Sequence, residues 1–135
     1  MKSFTDIEQS KKLAEILPID SADMYYHNRV DIPDNFPLPI EWKHSNKLLS
    51  QEIPCWSLAA LIKLLPSELF LSRHYFLEIS KMGDNSTPYE IRYYRFRESS
   101  DGADFGRITH ISYSSQNLVD ACYEMILKLH EQKLL

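Results

Sequence analysis

The chain is poor in the residues that build phosphate-binding loops and disulfide frameworks. It has three glycines, Gly83, Gly102 and Gly106, and none of them belongs to a P-loop or a GxGxxG pattern. Its two cysteines, Cys55 and Cys122, form no CxxC pair and are too few for a disulfide scaffold. We therefore expect reduced, buried thiols and no nucleotide-binding loop.

Long apolar segments are also missing. The longest mainly apolar run, residues 56–65, is about half the ~20 residues that a membrane-spanning helix needs. The first residues lack the apolar core that a signal peptide requires. These absences predict a cytoplasmic protein without a membrane partner.

The chain has no excess of basic charge. Its 15 Lys and Arg residues and 19 Asp and Glu residues give a net charge of −4, unlike a protein that coats nucleic acid. Its 135 residues are one domain's length, and 44% hydrophobic with 25% charged residues is typical of a globular domain. The sequence therefore predicts a single domain over residues 1–135.

Two helices are predicted in the first half of the chain. The first covers residues 5–17, with Thr5 as the N-cap and Glu8 completing a capping box. The second begins near Pro54 and runs to Leu65. It is apolar on nearly all sides, so we expect it to be the central helix of the core.

Alternating apolar residues predict three strands, and a helical stripe predicts a last helix. The strands fall at residues 74–79, 89–96 and 108–113, and the first two form an antiparallel hairpin. The helix carries its buried stripe from Leu118 to Leu129. A core over residues 55–135 follows from this arrangement.

Residues 18–54 contain five of the seven prolines and show no sustained helical or strand period. We interpret them as a long Pro-rich loop whose aromatic residues, Trp42 among them, anchor it on the core. Another interpretation is a partner-binding arm, in which residues 36–40 adopt a polyproline-like conformation.

The predicted fold class is α+β. It is a three-stranded antiparallel sheet with helices packed on one face. The predicted order is helix, long loop, helix, three strands and a final helix.

Cys55 is the candidate for nucleophilic chemistry. At the start of a helix, the macrodipole would lower the pKa of its thiol, and His74 or His110 on later strands would act as its base. This layout resembles papain-like and transglutaminase-like hydrolases. Residues 54–57 do not match the usual signature of such a nucleophile, and no orienting Asn or Asp is identifiable.

Metal or cofactor chemistry is not expected. The five histidines show neither i,i+4 pairing nor an HExxH pattern, and the carboxylates are scattered along the sequence. We therefore predict no metal site and no cofactor.

A nucleic-acid alternative depends on the second predicted strand, where Arg92, Arg95 and Arg97 alternate with aromatic residues. From residue 55 onward, the order of elements resembles the double-stranded-RNA-binding domain. That family carries lysines at the start of its last helix, whereas residues 115–120 of this chain include no basic residue. Because residues 54–135 hold 9 Lys and Arg against 10 Asp and Glu, we expect nucleic acid to be an unlikely partner.

The favoured function is a non-enzymatic module that binds another protein or itself. Eight tyrosines are many for this length, and tyrosine suits interfaces because it combines an apolar body with a polar tip. The candidate binding residues on an exposed face or edge of the sheet are Tyr89, Tyr93, Tyr94, Arg92 and Arg95. Trp42, an anchor of the long loop, is a further candidate.

Three stretches carry a family resemblance. They are residues 4–18 (FTDIEQSKKLAEILP) together with 21–24 (SADM), residues 53–65 (IPCWSLAALIKLL) and residues 118–135 (LVDACYEMILKLHEQKLL). They resemble a family of small uncharacterised proteins of anaerobic gut bacteria, often encoded among phage-like or conjugative-element genes. The resemblance implies an accessory protein of a mobile element and transfers no activity and no site residue.

Overall fold

A computed structural model describes the chain in six stretches, residues 2–27, 36–43, 48–49, 51–81, 86–98 and 106–135. The chain divides into two compact units, Met1–Leu64 and Leu65–Leu135, and each unit contains one antiparallel sheet. The α+β class is therefore confirmed. The single domain predicted from chain length stays a prediction.

The first unit has two α-helices, three short strands and two 3-10 helices. The order is α1 (Ile7–Ala14), a 3-10 helix (Ile19–Ser21), β1 (Met24–Tyr26), β2 (Leu38–Pro39), a 3-10 helix (Ile40–Trp42), β3 (Ile53–Cys55) and α2 (Leu58–Leu64). Strand β1 lies in the centre of the sheet and pairs antiparallel with β2 and β3.

The N-cap of helix α1 lies one residue later in the sequence than predicted. Asp6, and not Thr5, is the N-cap: its carboxylate accepts from the Gln9 amide at 2.8 Å, and the Gln9 side chain accepts from the Asp6 amide at 3.2 Å. Thr5 is unavailable as a cap because its buried hydroxyl lies 2.7 Å from the Ser10 hydroxyl and accepts from the Trp56 amide.

The long Pro-rich loop predicted over residues 18–54 instead contributes most of the strands of the first sheet, so the predicted order of elements is wrong here. These strands are two or three residues long, too short to show the alternation that identifies a strand. Pro54 lies inside β3, an edge strand, where proline is tolerated. Helix α2 consequently begins at Leu58 and not near Pro54, and the Ser57 hydroxyl accepts from the Ala60 amide.

The second unit is a four-stranded sheet followed by a helix. Its elements are β4 (Glu68–Phe70), β5 (His74–Lys81), β6 (Tyr89–Phe96), β7 (Arg107–Ser115) and α3 (Leu118–Glu131), and the strands follow one another in the order β4-β5-β6-β7. All neighbours are antiparallel. The predicted strands are present, but they belong to a four-stranded sheet that includes β4, and the three-stranded antiparallel sheet lies in the first unit. The predicted order of elements is therefore wrong.

Helix α3 packs on β6 and β7 and covers one face of this sheet. The Asn117 side chain caps the helix by accepting from the Asp120 amide at 2.8 Å. The buried side chains include Ile91, Tyr93 and Ile111 from the strands and Val119, Cys122, Met125, Ile126 and Leu129 from the helix. Full burial of each large apolar side chain contributes roughly 1.5–3 kcal/mol, so this covered face is the core of the unit.

Candidate interaction surface

Strand alternation gives the four-stranded sheet two chemically different faces. Ile91 and Tyr93 point toward α3, so the residues between and after them, Arg92 and Tyr94, point to the opposite side. Cross-strand partners share a face, which extends this side over all four strands. We call it the open face.

Five rings form a continuous row across the open face, which we call the aromatic row: Phe70, His74, Phe76, Tyr94 and Phe96. Phe70 stacks on His74 with ring centres 4.4 Å apart, and His74 lies 4.5 Å from Phe76. Tyr94 continues the row at 6.2 Å from Phe76, and Phe96 meets Tyr94 edge to face at 5.5 Å.

The two ends of the aromatic row are strongly exposed. Phe70 is 75% exposed and Phe96 is 58% exposed, although both are large apolar side chains. A cluster of exposed aromatic residues differs from the apolar residues that are scattered singly over most protein surfaces.

A group of charged residues lies beside the row on the same face, and we call it the Glu78 cluster: Glu78, Glu90, Arg92 and Arg107. The Glu78 carboxylate accepts from Arg92 at 2.7 Å and from Arg107 at 2.5 Å. Arg92 also lies 3.7 Å from Glu90. Burial raises the pKa of Glu78, but hydrogen bonds and charge attraction from both arginines outweigh it and hold that pKa below its ordinary value.

Both arginines also lie over the ring of Tyr94. The guanidinium of Arg107 is 4.6 Å from the centre of this ring, and that of Arg92 is 5.4 Å away. The aromatic row and the Glu78 cluster therefore form one surface, in which each guanidinium already has a carboxylate and a ring as neighbours.

The structure separates the candidate binding residues of the second predicted strand. Arg92 and Tyr94 lie on the open face. Tyr89, Tyr93 and Arg95 alternate with them along β6 and therefore lie on the opposite, covered face. Tyr93 is fully buried against α3, and its hydroxyl donates to the Pro66 carbonyl at 2.6 Å. The three tyrosines therefore do not share an exposed face.

Two candidates in the Pro-rich segment have different outcomes. The backbone of Trp42 ends the second 3-10 helix, and its side chain lies outside the described residues. The segment 36–40, predicted as a polyproline-like arm, contributes Leu38 and Pro39 to β2, which pairs with β1. Its backbone is thus used within the first sheet.

Cys55 does not lie at a helix N-terminus, because it is the last residue of β3. Its side chain is fully buried, its thiol donates to the Thr5 carbonyl at 3.4 Å, and its sulfur lies 3.6 Å from the Thr5 hydroxyl. Burial raises the pKa of this thiol above its ordinary value, although hydrogen bonds from nearby side chains oppose that effect. The prediction that a helix N-terminus lowers the pKa of the Cys55 thiol is therefore wrong.

The two candidate histidines have partners within the second unit. His74 belongs to the aromatic row, and its Nε2 lies 3.4 Å from a Glu68 carboxylate oxygen. The His110 ring lies 5.0 Å from that of Tyr75. Within the described ranges, no three His, Cys, Asp or Glu residues are placed to hold a metal ion.

Sequence reasoning does not identify four residues of the open face as candidates: Phe70, Phe76, Glu78 and Arg107. For Phe76 and Glu78 the signal was present, because they alternate with Tyr75, Leu77 and Ile79 and so must lie on the other side of the strand. Phe70 carries no such signal, because β4 has three residues and is too short to show alternation.

None of the helices in the described stretches is both long and apolar enough to cross a membrane. Comparison with known proteins adds no relative: no family model, no curated protein and no solved structure matches the chain.

Proposed function

We propose that this chain is a non-enzymatic, cytoplasmic protein-binding module that contacts its partner through the open face of its four-stranded sheet. The observation that carries the proposal is the aromatic row, whose end residues Phe70 and Phe96 are mostly exposed. Aromatic side chains supply large contact areas at low cost in conformational entropy, and they are enriched at protein interfaces.

The charges beside the row favour a protein over a nucleic acid. Arg92 and Arg107 both contact Glu78, so a phosphate would have to compete with a carboxylate for each guanidinium. The second unit as a whole holds 8 Lys and Arg against 10 Asp and Glu in residues 65–135. Arg95, the neighbour that the nucleic-acid alternative needs, lies on the opposite side of β6.

The balance of acidic and basic charges beside the row also indicates which kind of partner surface would fit. An uncharged surface with exposed aromatic, aliphatic or proline side chains would pack on the row without displacing the ion pairs of the Glu78 cluster. Carbonyl groups at the rim of such a surface would find the outward N–H groups of Arg92 and Arg107. A strongly charged partner would gain little, because Glu78 and Glu90 offset the two arginines.

The biological setting that we propose follows from the family resemblance of residues 4–18, 53–65 and 118–135. In that setting the protein is an accessory factor of a phage-like or conjugative element. Its partner would be a protein of the element or of the bacterial host. Binding through the aromatic row requires no catalytic residue, which agrees with the inaccessible thiol of Cys55.

The test uses the full chain as bait in a lysate of the organism that encodes it, with and without nuclease. The Phe70→Ser/Phe96→Ser variant changes the two exposed ends of the row, and Ile19→Ser changes an exposed apolar residue of the first unit as a matched control. We expect a stoichiometric, nuclease-resistant protein partner with wild type and Ile19→Ser, and a loss of at least about tenfold in capture with the double variant.

Two results would overturn the proposal. Equal capture by the double variant would show that the row does not bind the partner. Loss of every partner on nuclease treatment would indicate that the open face binds a single-stranded nucleic acid, whose bases stack on aromatic rings.

A further inference from the structure

The second sheet has two edges of very different length. Strand β4 at one edge has three residues, whereas β7 at the other has nine, from Arg107 to Ser115. Among the residues that the structure describes, no strand pairs with the outer side of β7. A long edge strand presents a row of backbone N–H and C=O groups that another strand can satisfy.

Strand β7 carries little of the side-chain protection that usually guards an edge. It contains no Lys, Asp, Glu or Pro, and its single strong charge, Arg107, is its first residue. It has one irregularity: the register with β6 shifts between Tyr93 and Tyr94, which leaves His110 as an extra residue in β7. Beyond this bulge, residues 111–115 pair regularly with β6.

We propose that residues 111–115 of β7 pair antiparallel with the same residues of a second copy of this chain, and so join two four-stranded sheets into one. Only a β-strand can satisfy the alternating backbone groups of this edge, so the occupant is a strand. Side chains then select which strand binds. The segment consists of Ile111, Ser112, Tyr113, Ser114 and Ser115, and any two-fold pairing within it sets only Ile, Ser and Tyr opposite one another.

A second copy is therefore compatible with this edge without a like-charge pair, and Arg107 lies outside the paired segment. A charged strand from another protein would find no opposite charge there. The interface is distinct from the proposed function, because it uses the edge of the sheet and leaves the aromatic row uncovered.

The test is sedimentation velocity of the full chain over a wide concentration range. Ser112 and Ser114 are exposed, and the Ser112→Lys/Ser114→Lys variant places lysines opposite one another across the two-fold pairing. Ser72→Lys/Gln132→Lys adds the same charge at exposed positions outside β7. We expect wild type and the control to dimerise with the same dissociation constant. The dissociation constant of the β7 variant is expected to be at least roughly tenfold higher.

Hydrogen exchange provides a second readout that does not depend on the variants. Amides in residues 111–115 are expected to become more protected as wild-type concentration rises. The Phe70→Ser/Phe96→Ser variant is expected to dimerise as wild type does, which separates this inference from the open face. A monomer at all concentrations, or a dimer that survives the β7 lysines, would overturn the proposal. A dimer lost only in the Phe70→Ser/Phe96→Ser variant would also overturn it, because self-association would then use the open face.

Discussion

The two faces of the four-stranded sheet are built by the same strands and use aromatic side chains in opposite ways. On the covered face, Tyr93 is fully buried and its hydroxyl donates to Pro66. On the open face, its neighbour Tyr94 lies among Phe76, Phe96 and two guanidinium groups beside solvent. One face thus forms the core of the unit, whereas the aromatic residues at the two ends of the other face, Phe70 and Phe96, remain exposed.

Thiol reactivity is expected to show the largest difference between the two faces. Burial on the covered side of the sheet raises the pKa of Cys122, a residue of α3, to about 12, whereas a cysteine introduced by Ser112→Cys would lie on the open face. We expect iodoacetamide at pH 8 to modify the introduced thiol more than about a thousandfold faster than Cys122, because the buried thiol reacts only after opening.

The same labelling experiment examines the hydrolase alternative. Cys55 is also fully buried with a raised pKa, so it is expected to react as slowly as Cys122 until the protein unfolds. Rapid modification of Cys55 in the native wild type would contradict this and would restore the case for a catalytic thiol.

Truncation of the covered face is expected to have the largest effect on stability. Leu129 is fully buried in α3, and Leu129→Ala should lower the free energy of unfolding by about 2–5 kcal/mol, because it removes apolar contacts and leaves a cavity. Urea unfolding followed by circular dichroism measures this change. A loss below about 1 kcal/mol would mean that α3 does not cover the sheet tightly.

A matched pair of tyrosine variants compares the faces at adjacent positions. Tyr93→Phe removes the donor to the Pro66 carbonyl and should cost about 1–2 kcal/mol. Tyr94→Phe keeps the ring on the open face and should change stability by less than about 0.5 kcal/mol. Equal costs in urea unfolding would contradict the division into two faces.

The Glu78 cluster is expected to give a smaller, pH-dependent contribution. The pKa of Glu78 is lowered in the folded state, so its ionised form stabilises the fold above the ordinary glutamate pKa of about 4.3, and this contribution is lost as the pH falls through the lowered value. At pH 7, Glu78→Gln should cost at most about 1 kcal/mol, because the cluster is partly solvated. The difference from wild type should shrink below pH 4, and a difference that grows there would contradict the assignment.

The predictability of the fold depended on element length. Strands β5, β6 and β7 have eight or nine residues and were identified by their alternation, as was α3 by its apolar stripe. Strands β1, β2 and β3 have two or three residues and depend on long-range pairing, which a local pattern does not record. Cys55 was misplaced for this reason, because Pro54 at a helix start and Pro54 in an edge strand look alike in sequence.

The candidate surface could be predicted only in part. The alternation of β5 and β6 was sufficient to place Phe76 and Tyr94 on one side, opposite Tyr93. Two further facts were required for the whole surface: that Phe70 belongs to a strand, and that the bulge at His110 returns Arg107 to the face of Tyr94 and Phe96. Both are properties of strand pairing and not of any local pattern.

Site-specific photo-crosslinking in the native host tests the central claim most directly. A benzophenone amino acid replaces Phe96 at the exposed end of the aromatic row, or Glu124, an exposed residue of α3, as the control. We expect one dominant protein adduct, stable to nuclease, at position 96 and none at position 124. Equal adducts at both positions, or no protein adduct at position 96, would contradict the claim that the open face is the binding surface.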